Sequence, residues 1–228
     1  MDPSPLRAKI LETIVRKSSL KQQVFDNTFA TFNELKDILF EMSSEWDDDL
    51  DGRIDRRVRI EYRDRGKFEA QLQVANDILI FQMHTDVFEF GSDHLIWQNP
   101  YVQADRDNSY CGLINIYNFL SDSFKFNRNA DEGYLIGRIF INRERRYFAE
   151  GKQQNSMRAM DFGKSEIGQE ALVAILESAI GFALNFDLLM PPYEENKRVT
   201  VDQFNTKMDN SKFVTGKRLG YDFDVEDI

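Results

Sequence analysis

Cysteine and histidine are scarce in this chain: its 228 residues include one cysteine, Cys111, and two histidines. A single cysteine excludes an intramolecular disulfide and a metal cluster built on cysteine. Basic residues are outnumbered, 29 against 39 acidic ones, for a net charge of −10. This argues against a nucleic-acid partner, because phosphate recognition needs clustered Lys and Arg. Residues 1–19 contain no continuous apolar run, so we predict no signal peptide and a cytoplasmic protein.

One long apolar stretch is present, and it predicts a helix from Ser165 to Met190, ended by Pro191 and Pro192. Ser165 is the predicted N-cap. The stretch is apolar on nearly all sides, which is typical of a buried helix or a membrane span. Glu177 near its middle would be costly in a bilayer. We therefore predict a buried helix and no membrane insertion.

Residues 56–90 alternate between apolar and polar types with a period of two, which predicts a meander of four antiparallel strands. Turns are expected at 64–66, where Gly66 can adopt a left-handed backbone, and at 76–77 and 85–86. They predict that Tyr62 faces Phe68 and that Leu72 faces Phe81. One face of the sheet is then apolar across all four strands.

The polar face of this predicted meander carries two rows of side chains. The first row is Arg59, Gln71, Gln82 and Glu89, and the second is Glu61, Glu69 and His84. Opposed carboxylates beside an imidazole are the groups of a proton-transfer or divalent-metal site. Glu61, Glu69 and His84 are therefore the candidate catalytic residues, with neutralisation by nearby Arg and Lys side chains as the alternative.

Residues 20–46 have apolar side chains at helical spacing, which predicts a long amphipathic helix lying on the apolar face of the sheet. A separate short helix is predicted at 6–16. The side chains expected in the core are Phe25, Phe29, Phe32, Leu35 and Leu39.

The segment 47–58 is acidic and resembles the calcium loop of the EF-hand family. Its carboxylates follow the D-x-D-x-D-G pattern, with a further Asp at the ninth position. The resemblance covers about twelve residues and implies a calcium site. It departs at the twelfth position, where Val58 stands in place of the bidentate Glu and a strand is expected to follow. The candidate metal ligands are Asp47, Asp49, Asp51 and Asp55.

The segment 91–111 has no sustained period. A short strand is predicted at 94–97, followed by a loop of about twelve residues at 99–110, a length that is often functional. The side chains in and beside this loop that suit ligand binding are His94, Trp97, Arg106 and Tyr110. The alternative is an ordinary surface loop with no binding role.

The remaining alternation predicts strands at 112–119 and 121–126, a hairpin formed by 133–142 and 146–150, and a strand at 198–204. Together these segments predict an α+β fold. An antiparallel sheet of about seven strands packs on the long N-terminal helix and on the apolar C-terminal helix. We expect a single domain over 1–228, with 1–5 frayed and 207–228 irregular.

The sequence contains no complete catalytic constellation, so the first functional prediction is a non-catalytic binding or adaptor module. It would act through the sheet face or the 99–110 loop, on a protein or small-molecule partner. The alternatives are a hydrolase using the carboxylate–histidine row and a calcium-binding protein using 47–58. No cofactor other than calcium is predicted, and self-association into a homo-oligomer is compatible with the composition.

Overall fold

The computed structural model describes residues 4–55, 58–129, 131–151 and 159–186. The helices are α1 (Pro5–Leu50), α2 (Pro100–Ala104), α3 (Ser121–Lys125) and α4 (Gln169–Leu184), with short 3-10 helices at Leu95–Gln98, Arg106–Ser109 and Ala159–Asp161. The strands are β1 (Ile60–Asp64), β2 (Glu69–Val74), β3 (Asp77–Met83), β4 (Cys111–Leu120), β5 (Tyr134–Asn142) and β6 (Tyr147–Gly151).

The architecture is α+β, as predicted: one antiparallel sheet with its six strands in sequence order, and a long N-terminal helix. The predicted count of about seven strands is wrong for two reasons. Residues 88–90 do not form a strand, and Phe88 makes only an isolated bridge to Cys111. β4 therefore lies beside β3 in the place expected for those residues. The segment 121–126 contains the helix α3 rather than a strand.

The predicted helices at 6–16 and 20–46 are one helix of 46 residues, α1. No glycine or proline interrupts the stretch between them, so the backbone hydrogen bonding continues. The side chain of Ser4 caps the helix, accepting from the backbone N–H of Arg7 at 3.3 Å. The predicted C-terminal helix begins later than expected. Its N-cap is Gly168 rather than Ser165, and residues 187–190 lie outside the described residues.

The predicted face assignment of β1 to β3 is correct, but the predicted register is wrong. Tyr62 lies opposite Leu72 and not Phe68, because the hairpin loop is 66–68 rather than 64–66. Phe68 leaves the strand to pack against α1, where its ring centroid lies 5.9 Å from that of Phe29. The observed pairing of β1 with β2 differs from the predicted one by an even number of residues, so the apolar side chains still face inward.

The second hairpin turns one residue earlier than predicted, at Ala75 and Asn76, and this places Leu72 opposite Leu79. Ala75 takes the left-handed conformation, with φ of 53°. The carbonyl of Asn76 accepts a hydrogen bond from the backbone N–H of Ser121 at 2.7 Å, which ties the turn to the start of α3.

α1 and α4 pack on the inner face of the sheet and form the main core with it. Phe32, Leu35 and Leu39 are fully buried, as predicted, whereas Phe25 and Phe29 are only partly buried at the edge of this core. A second core lies on the outer face at the β5–β6 end. It consists of Ile96, Val102, Cys111, Phe140, Phe148 and Phe162. The chain between β3 and β4 therefore covers one end of the outer face.

No helix in the described part of the chain is long and apolar enough to cross a membrane. The predicted strand at 198–204 and the predicted irregular tail at 207–228 lie outside the described residues.

Candidate functional site: the outer face of the sheet

The predicted row of Glu61, Glu69 and His84 does not form, because the true register separates its members. Glu61 lies opposite Gln73, and Glu69 lies opposite Gln82. Each carboxylate has its own arginine: Arg63 Nη2 is 3.0 Å from Glu61 Oε2, and Arg65 Nε is 2.9 Å from Glu69 Oε1. The hydrogen bond from Arg63 is the main cause that lowers the pKa of Glu61. The two carboxylates therefore do not oppose each other across adjacent strands.

His84 follows the last residue of β3 and is held by a local turn. Its Nδ1 accepts a hydrogen bond from the backbone N–H of Asp86 at 3.0 Å. Its ring lies 4.7 Å from the ring of Phe88, in an edge-on contact. The side-chain contacts of this histidine are thus local, while its backbone N–H donates to the carbonyl of Leu113 at 2.8 Å. A catalytic role for it stays a prediction.

A different polar row runs across the outer face of five strands, from β2 to β6. The register places Glu69 opposite Gln82, Gln82 opposite Asn115, Asn115 opposite Arg138, and Arg138 opposite Glu150. We call these five residues the polar row. Gln82 is exposed, and the two residues at the β5–β6 end are partly exposed, while Asn115 at the centre is buried.

The polar row has charges at both ends and amides in the middle. At one end, Arg65 neutralises Glu69 and also donates to Gln71 Oε1 at 2.8 Å. At the other end, Arg138 Nη2 is 2.7 Å from Glu150 Oε2, and His94 Nε2 is 3.6 Å from Glu150 Oε1. Polar side chains therefore extend along the whole width of the face, and Gln82 is the exposed amide among them.

The neighbouring row on the same face is mainly apolar. Gln71 lies opposite Ile80, Ile80 opposite Tyr117, and Tyr117 opposite Leu135. Tyr117 is partly exposed and Leu135 is exposed. The outer face thus offers apolar contact beside the hydrogen-bonding groups of the polar row.

The predicted loop at 99–110 is instead a folded unit, because α2 and the Arg106–Ser109 turn occupy most of it. The predicted strand at 94–97 is also wrong, since Leu95–Gln98 is a 3-10 helix. The buried Asn99 holds the unit in place. Its Nδ2 donates to the carbonyls of Ala159, Met160 and Phe162 at 2.9–3.1 Å, and its Oδ1 caps α2.

A cleft of about 600 Å³ lies between this unit and the end of the segment that follows β3. The Arg106 guanidinium lies over the Trp97 ring, 4.8 Å from its centre, which is a cation–π contact. The residues that line the cleft are Glu89, Phe90, Ser92, Trp97, Val102, Gln103 and Arg106. We call this the Trp97 cleft.

Two of the four predicted ligand residues, Trp97 and Arg106, line the Trp97 cleft, and the other two lie next to it. The Tyr110 hydroxyl donates to Glu89 Oε2 at 3.2 Å. The His94 ring lies 4.6 Å from the ring of Phe90, which also lines the cleft. Because His94 also approaches Glu150, it connects the cleft to the end of the polar row.

The acidic segment is not folded as an EF-hand loop. Asp47 and Asp49 lie in the last turn of α1, which continues to Leu50, and Asp51 is its C-cap. Gly52 has a positive φ of 73°, as a tight helix-ending turn requires. Among the described residues, no three His, Cys, Asp or Glu side chains are grouped so that they could hold a metal ion. Calcium binding by Asp47, Asp49, Asp51 and Asp55 stays a prediction.

Sequence reasoning missed Asn115, Arg138 and Glu150 as site residues, because their place beside Gln82 depends on which strands are neighbours.

It also missed a hydrogen-bond network at the β5–β6 turn. The fully buried Asn142 donates to the Tyr101 hydroxyl at 2.8 Å, and that hydroxyl donates to Glu144 at 2.7 Å. Burial raises the pKa of Tyr101. Nothing in the local sequence marks these residues as partners.

Comparison of the chain with models of known protein families, with curated proteins and with solved structures found no match.

Proposed function

We propose that the protein is a non-catalytic binding module that holds an extended polypeptide segment across the outer face of its sheet. The polar row is the observation that supports this proposal. Side-chain amides such as that of Gln82 both donate and accept, which matches the alternating N–H and C=O groups of a peptide backbone. The neighbouring row, with Tyr117 and Leu135, supplies apolar contact for side chains of the bound segment.

The dimensions of the row fit a short peptide. Adjacent strands are about 4.8 Å apart, so five strands span roughly 19 Å, which about six extended residues cover. The charges at the two ends, on Arg65 and Glu69 and on Arg138 and Glu150, suit a segment that carries its own charges at that spacing. His94, which contacts both Phe90 and Glu150, links the Trp97 cleft to the Glu150 end. The cleft suits a side chain with an apolar body, since Phe90, Trp97 and Val102 line it.

The hydrolase alternative receives less support from the geometry, because its three candidate residues do not lie together. Within the described residues, the one histidine close to a carboxylate of the polar row is His94, whose Nδ1 already accepts from the backbone N–H of Ile96 at 3.2 Å. Its ring also packs against the rings of Phe90 and Phe148, at 4.6 and 6.5 Å between centroids.

The test begins with an array of peptides of random sequence, followed by titration of the peptides that bind. Trp46 and Trp97 are the only tryptophans, so a Trp46→Phe background makes the fluorescence of Trp97 a direct reporter of the cleft. Arg138→Ala and Gln82→Ala should each weaken binding about tenfold, which corresponds to about 1.4 kcal/mol.

The matched control is Arg145→Ala, which removes an ion pair of similar length, 2.8 Å to Glu34 of α1, on the helix side of the molecule. It should leave the dissociation constant unchanged. If no peptide binds, or if Arg138→Ala and Gln82→Ala bind peptides as tightly as the parent does, the proposal is wrong.

A further inference from the structure

The N-terminal third of α1 buries no side chain and meets the described part of the body only at its base, where Lys17 Nζ lies 5.9 Å from the centre of the Tyr110 ring. Every residue from Pro5 to Ser19 is exposed, and Leu20 is the first buried residue of the helix. Residues 5–16, which precede these contacts, project by about 18 Å at 1.5 Å per residue. No buried side chain holds this segment, so its helix depends on continuity with the buried part of α1 and opens more easily than that part.

The projecting segment has the composition of a docking surface. Five large aliphatic side chains on it are 49–69% exposed: Leu6, Ile10, Leu11, Ile14 and Val15. Their spacing places them along one side of the helix. Contiguous exposed aliphatic side chains usually mark an interaction site. Arg7 and Lys21 fall on this same side, whereas Lys9 and Arg16 fall on the opposite side.

A shallow groove lies at the base of the projecting segment. It has a volume of about 620 Å³ and separates α1 from the turn after β3. Lys21 and Phe25 line it from the helix, and Asp86 and Val87 line it from the turn. The groove continues the aliphatic side of the helix toward the body.

The charge of the projecting segment indicates which kind of molecule could bind to it. Residues 5–21 carry five basic residues and one acidic residue, so the net charge of −10 combines +4 on this stretch with −14 on the rest of the chain. A second copy would place one +4 stretch against another, and an anionic lipid surface would repel the acidic remainder. An acidic segment with apolar side chains fits best.

Such a segment is present in the chain itself. Residues 221–228, YDFDVEDI, carry four acidic and no basic residues, interspersed with two aromatic and two aliphatic residues. Thirty-four residues separate this segment from Phe186, the last residue that the structure describes. A chain of that length spans at most about 110 Å, far more than the width of a domain of this size.

We propose that residues 221–228 dock in the same molecule on the aliphatic, basic side of the projecting part of α1. Its acidic side chains pair with Arg7 and Lys21, and its apolar side chains cover the aliphatic residues. This contact covers the exposed surface and stabilises the first turns of α1. It is independent of the outer face of the sheet and of the function proposed for it.

Hydrogen exchange of the full chain and of a chain that ends at residue 220 tests this proposal. Amides 9–19 should exchange about tenfold faster in the shorter chain, because their helix loses its cover. Adding a synthetic peptide of residues 221–228 should restore slow exchange, and raising the salt concentration should weaken it. Amides 32–42 lie in the buried part of α1 and should not change.

Charge variants of the full chain supply the control. Arg7→Glu with Lys21→Glu should speed exchange of amides 9–19, and adding Asp222→Lys with Asp224→Lys should slow it again. Lys9→Glu, compared with Arg7→Glu alone, makes the same change of charge on the opposite side and should have little effect.

Equal exchange in the full and shortened chains would overturn the proposal. The proposal would also be overturned if the protection of amides 9–19 disappeared on dilution and sedimentation showed a dimer. That result would assign the surface to a second copy of the chain. Protection of the shortened chain by phosphatidylserine vesicles, without any effect of truncation alone, would assign it to a membrane instead.

Discussion

At the scale of single residues, buried amides hold the outer layer of the molecule together. Asn99 is the main example, because one side-chain nitrogen donates to three carbonyls of 159–162 while the oxygen caps α2. Asn99→Asp would replace that nitrogen by a carboxylate oxygen facing three carbonyl oxygens. We expect it to lower the free energy of unfolding by roughly 2–4 kcal/mol, measured by urea denaturation.

Gln98→Ala is the control, since Gln98 is exposed and immediately adjacent, and it should cost less than about 0.5 kcal/mol. An Asn99→Asp protein as stable as the parent would mean that the three hydrogen bonds do not hold the unit.

At the scale of elements, α1 combines a buried half with an exposed beginning. The buried part is held by Phe32, Leu35 and Leu39, which contribute no accessible surface. Phe32→Ala should lower the free energy of unfolding by roughly 3–5 kcal/mol, because the cavity lies between the helix and the sheet and cannot collapse easily. Thermal and denaturant unfolding both measure this loss.

Phe40→Ala on the same helix is the matched control. Phe40 is 62% exposed, and its ring touches only the edge of Tyr62 among the described aromatic side chains, with a centroid distance of 6.1 Å. It should cost about 1 kcal/mol or less. If the two variants unfold alike, α1 does not pack on the sheet as described.

At the scale of the whole molecule, two cores sit on opposite faces of one sheet, and Phe148 is central to the outer one. Its ring stacks on Phe140 at 4.7 Å and meets Phe90 and Phe162 at 5.7 and 5.3 Å. Phe148→Ala should therefore loosen the whole 95–109 unit. We expect faster hydrogen exchange across 95–109 and a loss of roughly 3–5 kcal/mol in the free energy of unfolding.

Amides of β2 and β3 should keep their relative protection in that variant, because they belong to the inner core. Phe124→Ala, at a ring that is 40% exposed, provides the comparison and should leave exchange of 95–109 unchanged. Uniform acceleration across both cores would show that the two layers unfold as one unit.

The sequence alone determined which side of β1, β2 and β3 faces the helices and that Phe32, Leu35 and Leu39 are buried. The period of two in 56–90 assigns Tyr62 and Leu72 to the inner face, and that assignment survives the error in register because each slip was an even number of residues. The helical spacing of Phe32, Leu35 and Leu39 similarly required one buried stripe. These properties depend on local geometry, which repeats along the chain.

Only the tertiary structure decided the strand neighbours, the register and hence the polar row. Phe68 leaves the strand because α1 offers it a ring to pack against, and β4 displaces residues 88–90 beside β3. Gln82, Asn115 and Arg138 become neighbours through these contacts between distant parts of the chain. No local pattern encodes such contacts, since each depends on how the remaining elements pack.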